Sequence, residues 1–341
     1  MLKASGDPLW DVYDVAMLDL DGVVYVGPCA VPGAMGHLAK ARAAGMRLAY
    51  VTNNASRTPG SVAQHLRDLG IDVDDEDVVT SAQAAARLLR EQLAEGSPVF
   101  VIGGTGLEVA LREQGLNPVQ DPEAKPVAVV SGFSADLRWA TVIAGAILVR
   151  AGLPWVASNT DLTVPTPQGP GPGNGALVGV VAQFAERDPV VAGKPEPPLF
   201  EETLRRVGGT RPVVVGDRLD TDIEGANAVG YDSLLVMTGV TDVATLVAAP
   251  PLLRPSYVAA DLGALALPQP EVEVRNGTCA SGGWTAAVDL GVLTVSGEGE
   301  PDAWWRAVAV AGWRHLDTTG DAPDVSQVRP PSSVGTDPAG D

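Results

Sequence analysis

The chain has 341 residues, with 42 acidic against 23 basic side chains and a formal net charge of −19 at pH 7, so it has no basic surface to displace the counterions of nucleic acid or an anionic membrane. Hydrophobic residues make up 45%, enough to fill cores of ordinary size over two or three domains, and no apolar run nears the ~20 residues of a membrane span. Two cysteines, Cys29 and Cys279, exclude a disulfide framework, three histidines without cysteine partners give no zinc pattern, and the absence of a secretory block points to the cytoplasm.

The first predicted element carries the chemistry. Val15, Met17 and Leu18 form an apolar run that reads as a buried parallel strand and stops abruptly at Asp19-Leu20-Asp21-Gly22. Side chains alternate along a strand, so two carboxylates two residues apart point the same way. Held that close, they repel unless a cation lies between them or one keeps its proton. A hard, oxygen-liking cation such as Mg²⁺ suits them, since it is usually held by one or two carboxylates together with substrate phosphate.

A helical segment over 34–45 follows, and then a second apolar strand that ends in Thr52-Asn53-Asn54, a hydroxyl and two amides able to donate to phosphate oxygens. Ser56-Arg57-Thr58-Pro59 starts the next helix with a hydroxyl cap and an early proline. Strands and helices go on alternating from about 81 to 188. This alternation, with continuous apolar strands, predicts a parallel sheet covered on both faces. Gly193-Lys194-Pro195 then places a cation in a loop, and Val213 to Val215 lead into Gly216-Asp217 and Thr221-Asp222. Asp19, Asp21, Thr52 and Asp217 all fall at carboxyl ends of strands, where such sheets bind ligands. On so acidic a chain a phosphate site must be locally positive, which Mg²⁺, Lys194, Arg57 and Arg218 can arrange.

Ile102-Gly103-Gly104-Thr105-Gly106 lacks the spacing and the following acidic residue of a dinucleotide fingerprint, and a tight strand-to-helix turn accounts for its glycines. Ser158-Asn159-Thr160-Asp161 ends a strand, and residues 165–175, rich in proline and glycine, read as a long loop. After Pro268-Gln269-Pro270, residues 284–299 read as two short strands or a hairpin, and 301–317 as a helix bearing Trp304, Trp305 and Trp313. Residues 318–341 have few apolar groups and read as disordered.

The order DxDG, T-N, K, GDxxxTD, carried by Asp19, Asp21, Thr52, Asn53, Lys194, Asp217 and Asp222, resembles the haloacid dehalogenase superfamily of aspartyl-phosphate phosphatases. The long insert between the second and third motifs resembles the NagD-like and nitrophenyl phosphatase subfamily, with Ser134 departing from its usual GFD region. The tail resembles that of the actinobacterial glycerol-3-phosphate phosphatases, a fragment of an acetyltransferase-like fold, but it has no acetyl-CoA loop.

The resemblance implies an α/β fold: a Rossmann-like parallel-sheet core over 1–80 and 189–268, an inserted α/β cap domain over 81–188, and a small α+β C-terminal extension over 271–317. It implies Asp19 as nucleophile and Asp21 as proton donor and acceptor. Thr52, Asn53, Asn54, Arg57 and Lys194 would hold phosphate. Asp19, Asp21 through its backbone carbonyl, and Asp217 would hold Mg²⁺, with Asp222 orienting the ligands or Lys194. Asp161 and the 165–175 loop would read the hydroxyls of a small phosphorylated metabolite, glycerol 3-phosphate first. Phosphoglycolate, pyridoxal phosphate and nitrophenyl phosphate are same-class alternatives, and a phosphometabolite-binding sensor or scaffold is the alternative of another class. No nucleic-acid or membrane partner is expected, and a homo-oligomer stays open.

Overall fold

A computed structural model describes residues 2–166 and 168–331. The chain forms two compact units, one of residues 1–48, 69–71 and 209–341, the other of 49–68 and 72–208.

The first unit is built on parallel strands in the order Tyr257–Ala259, Asp232–Val236, Pro212–Gly216, Val15–Leu18. All four residues of Val15–Leu18 are buried, as expected of a central strand covered on both faces. Its register on Pro212–Gly216 sets Leu18 against Val215, and Asp19 N–H extends the pairing by donating to the Val215 carbonyl at 2.8 Å. That register brings the ends of the two strands, and the carboxylates that follow them, side by side. The strand Arg47–Thr52 starts beside the same element, with Arg47 N–H donating to the Asp14 carbonyl at 3.0 Å.

The C-terminal extension belongs to this unit. Four antiparallel strands, Glu273–Arg275, Thr278–Ser281, Trp284–Asp289 and Val292–Gly297, are covered by the helix Pro301–Thr319. The helix buries Trp304, Trp305 and Trp313 in one cluster with Cys279, Ala286 and Leu293 of the sheet and with Leu246 and Val247 of the short helix Val243–Val247. The chain does not lose order at 318. Asp324 N–H donates to Gly291 O, Leu293 N–H donates to Asp324 O, and Val328 is buried. Backbone pairing with a strand edge anchors a segment too polar to announce itself. Residues 332–341, the rest of the tail expected to be disordered, lie outside the described residues.

The second unit centres on a parallel sheet in the order Val190–Val191, Trp155–Ala157, Ala128–Ser131, Pro98–Ile102, Asn117–Val119. The helices Trp139–Arg150 and Asn174–Ala185 close a core around Phe100, Ile102 and Trp155. The helix Ser81–Gln92 begins with a capping box: Gln83 N–H donates to Thr80 Oγ1 at 3.4 Å, and Thr80 N–H donates to Gln83 Oε1 at 3.0 Å. This helix packs against both Thr105–Glu113 and Pro197–Val207. Residues 49–68, 72–80 and 189–208, expected with the core, are therefore gathered into one compact unit with the insert. The 165–175 stretch is not a plain loop. Thr163–Thr166 and Gly169–Pro172 pair as an antiparallel ribbon, and Asn174 then opens a helix; prolines are tolerated because a lone ribbon needs few of their missing N–H groups. Pro167, at the ribbon's tip, lies outside the described residues.

Candidate active site

In the first unit one carboxylate oxygen each of Asp19, Asp217 and Asp222 lies within 4.8 Å of the others. Asp217 and Asp222 are fully buried, and Asp19 is half-buried. Three like charges at that spacing, two of them away from water, need a positive partner. An all-oxygen donor set of this kind fits a hard divalent cation such as Mg²⁺. The sequence reading set Asp222 behind the ligands; in the structure its carboxylate stands with the other two. The cluster does not include the Asp21 carboxylate, which is exposed just before the turn in which Gly22 N–H donates to Tyr25 O at 2.8 Å.

Local structure fixes each member. Asp222 is carried by a π-helical turn, Leu219–Ile223, a form that recurs at functional sites, and its Oδ2 accepts the Arg218 N–H at 3.2 Å. Asp217 is held by a loop that in sequence resembles the superfamily's V-x-T-G loop but that carried no assigned role. Val240 N–H donates to its Oδ2 at 2.7 Å, and the Thr241 hydroxyl donates to its backbone carbonyl at 2.5 Å. Thr238 Oγ1 donates to Gly22 O at 2.6 Å, so the same loop also holds the turn after Asp21. A Cβ at Gly239 would overlap the Asp217 carboxylate, so the loop can lie this close only with glycine there. The signal available in the sequence was Met237-Thr238-Gly239-Val240-Thr241, small and hydroxylic residues directly after a strand.

In the second unit the structure gathers Asn53, Asp161 and Lys194. Lys194 is 4% exposed, and its Nζ lies 3.4 Å from the Val51 carbonyl. Asn53 Oδ1 accepts the Lys194 N–H at 2.8 Å, while Nδ2 donates to Lys194 O at 2.9 Å and to Asp161 Oδ1 at 3.1 Å. A carboxamide has two N–H donors, and both are used here. The Asn53 side chain thus holds the lysine loop, where the sequence suggested a phosphate contact. Asp161, expected to read substrate hydroxyls, accepts from Asn53. Asn159, expected with the turn through Asp161 to discriminate substrate hydroxyls, donates to the Asn53 carbonyl at 2.6 Å.

The remaining expected phosphate contacts divide. Thr52 Oγ1 accepts the Asn54 N–H at 3.1 Å, and a hydroxyl that accepts there can still donate to a phosphate oxygen. Asn54 Oδ1 accepts both the N–H and the hydroxyl of Ser56, at 2.9 and 2.7 Å, and so shapes the turn. Arg57 folds back on the helix it precedes, donating to the Ser61 carbonyl at 2.7 Å and lying 3.3 Å from Ser61 Oγ. Arg218 pairs with Asp220 at 2.8 Å.

Comparison with known proteins bears on the same residues. A family model described as haloacid dehalogenase-like hydrolase matches residues 16–117, and a companion model of HAD-like hydrolases matches 191–265. The D-glycerol 3-phosphate phosphatase of Mycobacterium tuberculosis is 42% identical over 318 residues, covering 88% of this chain and 86% of that protein. This chain is a haloacid dehalogenase-like hydrolase. An acid sugar phosphatase of Staphylococcus aureus is 36% identical over 231 residues, 67% of this chain and 88% of its own length. The crystal structure of the M. tuberculosis glycerol phosphate phosphatase in complex with magnesium matches with a TM-score of 0.82 at 42% identity, covering 90% of this chain and 92% of that one. A p-nitrophenyl phosphatase from Archaeoglobus fulgidus matches with a TM-score of 0.69 at 27% identity, covering 74% and 98%. The chain itself has the parallel-sheet α/β fold that the strand pattern predicts. No helix among the described residues is long and apolar enough to cross a membrane.

Proposed function

We propose that this hydrolase is a Mg²⁺-dependent phosphatase that releases glycerol and phosphate from glycerol 3-phosphate through an aspartyl-phosphate on Asp19. The observation that carries the reading is the cluster of Asp19, Asp217 and Asp222 with Asp21 two residues beyond the first of them. The substrate rests on the 42% identity to the D-glycerol 3-phosphate phosphatase.

Asp19, Asp217 and Asp222 would hold the cation, with the Asp21 backbone carbonyl as expected from the sequence. When bound, Mg²⁺ supplies charge that draws the phosphoryl oxygens toward the carboxylates and offsets charge building in the transition state. Asp19 attacks phosphorus with one carboxylate oxygen, the bond from phosphorus to the ester oxygen breaks, and Asp21 gives its proton to the departing alkoxide. Asp21, now ionised, takes a proton from water as that water attacks the acyl phosphate, which frees phosphate and restores Asp19. The exposure of Asp21 suits a group that must exchange protons with water. By the resemblance, Thr52 and Lys194 would bind phosphoryl oxygens; within their own unit, Asn53 with Asp161 keeps the lysine loop in place.

Two free cysteines, one of them exposed, support a reducing cytoplasmic setting, in which the reaction would recycle a glycerophospholipid breakdown product. Initial rates of phosphate release over a panel of small phosphomonoesters test the reading. The highest kcat/KM is expected for glycerol 3-phosphate, with activity lost in chelator. A tenfold preference for a sugar phosphate or phosphoglycolate would overturn the substrate, and saturable binding without turnover would overturn the enzyme in favour of a sensor.

A further inference from the structure

The C-terminal extension is not needed to supply any of the groups named above, yet it is packed into the support of the acidic cluster. The short helix Val243–Val247 begins two residues after Thr241, and Asp242 caps it by accepting the Thr245 N–H at 2.8 Å. A five-residue helix leaves most of its carbonyls without intrahelical partners. The extension supplies one: Trp313 Nε1–H donates to the Leu246 carbonyl at 2.7 Å, in a buried contact. One residue earlier, a Cβ at Gly312 would come within 2.5 Å of Val247 Cβ, so the two helices touch at a point only glycine permits.

A second clamp lies beside the first. Both Nη atoms of Arg254 bind the Asp317 carboxylate, at 2.8 and 2.6 Å, while Nε donates to Ala249 O at 2.9 Å and the guanidinium sits 5.3 Å over the Trp313 ring. Leu219 and Ile223, the two ends of the turn that carries Asp222, are buried in the same cluster as Trp313. The extension therefore bears on both sides of the carboxylate group, through the 240–241 loop to Asp217 and through the π-helical turn to Asp222.

We propose that the extension is a positioning element for the metal site, with Gly312 and Trp313 as positioning residues that hold Val240 and Thr241 against Asp217. The inference rests on the reading of Asp217 as a metal ligand. Without the clamp, the short helix and the loop before it sample other placements, and the carboxylates must be gathered again each time a cation binds. The cost then falls on cation affinity, because a bound cation restores the arrangement.

Mg²⁺ titration of the metal-free full-length chain, followed by thermal shift and by calorimetry, tests this. Trp313→Phe keeps an aromatic ring, though a smaller one, and loses the donor, and Gly312→Ala pushes on Val247. Both should raise the Kd for Mg²⁺ about three- to tenfold while kcat at saturating Mg²⁺ stays within about twofold of wild type. Leu293→Ala, on the sheet side of the extension, should lower Tm and leave the Kd unchanged. If Trp313→Phe does not fold, Arg254→Lys, which breaks the two-pronged contact with Asp317, should raise the Kd in the same direction. A fall in Tm with an unchanged Kd in Gly312→Ala and in Trp313→Phe or Arg254→Lys would overturn the inference alone. No Mg²⁺-dependent shift in the wild type would overturn the metal reading and the inference with it.

Discussion

The carboxamide of Asn53 grips the backbone of Lys194 on both sides, accepting its N–H at 2.8 Å and donating to its carbonyl at 2.9 Å. The two residues are 141 positions apart, and this contact sets where the lysine loop lies relative to the strand that ends at Thr52.

Asn53→Ala removes both bonds. At about 1 kcal/mol each, and with buried backbone groups left unpaired, the loss should appear as a ten- to hundredfold fall in kcat/KM for every phosphomonoester. A variant with a normal Tm and unchanged kcat/KM would show that the lysine is held by other means.

Asp161 accepts from the same amide, so it should act through Lys194. Asp161→Ala is expected to lower kcat/KM for glycerol 3-phosphate and nitrophenyl phosphate by similar factors. A selective loss on the glycerol ester, measured side by side, would instead give Asp161 a direct part in reading hydroxyls.

Asp19→Asn keeps the shape of the side chain and loses the nucleophile, so phosphate release should drop to background in the steady state. Asp21→Asn should slow phosphoenzyme formation far more for glycerol 3-phosphate than for nitrophenyl phosphate, whose leaving group needs little protonation. Single-turnover measurements that found equal losses would remove Asp21 from the role of general acid.

Asp232 gives a pH dependence remote from the site. Burial pushes its carboxyl up, but hydrogen bonds from Lys3, Tyr13 and Ser256, the latter two at 2.7 and 2.8 Å, outweigh this and hold it below the usual carboxylate range. A depressed folded pKa contributes stability that is complete above the unfolded value of about 3.9 and fades as pH falls through the folded one. The Tm gap between wild type and Asp232→Asn should therefore be widest near neutral pH and close as pH drops below 4. A gap that stays constant down to pH 2.5 would mean that the contacts do not depend on the charge.

Much of this was legible in the sequence because apolar runs that stop dead at carboxylates are rare and carry their own geometry. Parallel strands ending at Asp19 and Asp217 could be expected to bring those groups together, and they do. The role of the Asn53 side chain was not legible, since an amide that can donate to phosphate can equally donate to a carbonyl, and its partner lies far along the chain. Asp222 was read from the resemblance as orienting the ligands; that a π-helical turn carries it, with an oxygen within 4.8 Å of those of Asp19 and Asp217, was not legible, since nothing in T-D-I signals such a turn. The 163–172 ribbon was hidden by its prolines and glycines, which normally mark a connector. Residues 320–331 were hidden by their polarity, although Asp324 pairs with the backbone at Gly291 and Leu293. For Asn53 and for Asp324 the deciding partner was distant in sequence, which local patterning does not register.

The pairing of Val15–Leu18 with Pro212–Gly216 has a consequence for the nascent chain. At a translation rate of ~5–20 residues per second, about 10 to 40 s separate the emergence of these two strands from the ribosome. Until then the earlier one lacks that neighbour, a wholly apolar segment with an open edge of the kind chaperones recognise. The acidic cluster cannot assemble before residue 222 has left the tunnel, so a product truncated short of that point lacks this chemistry.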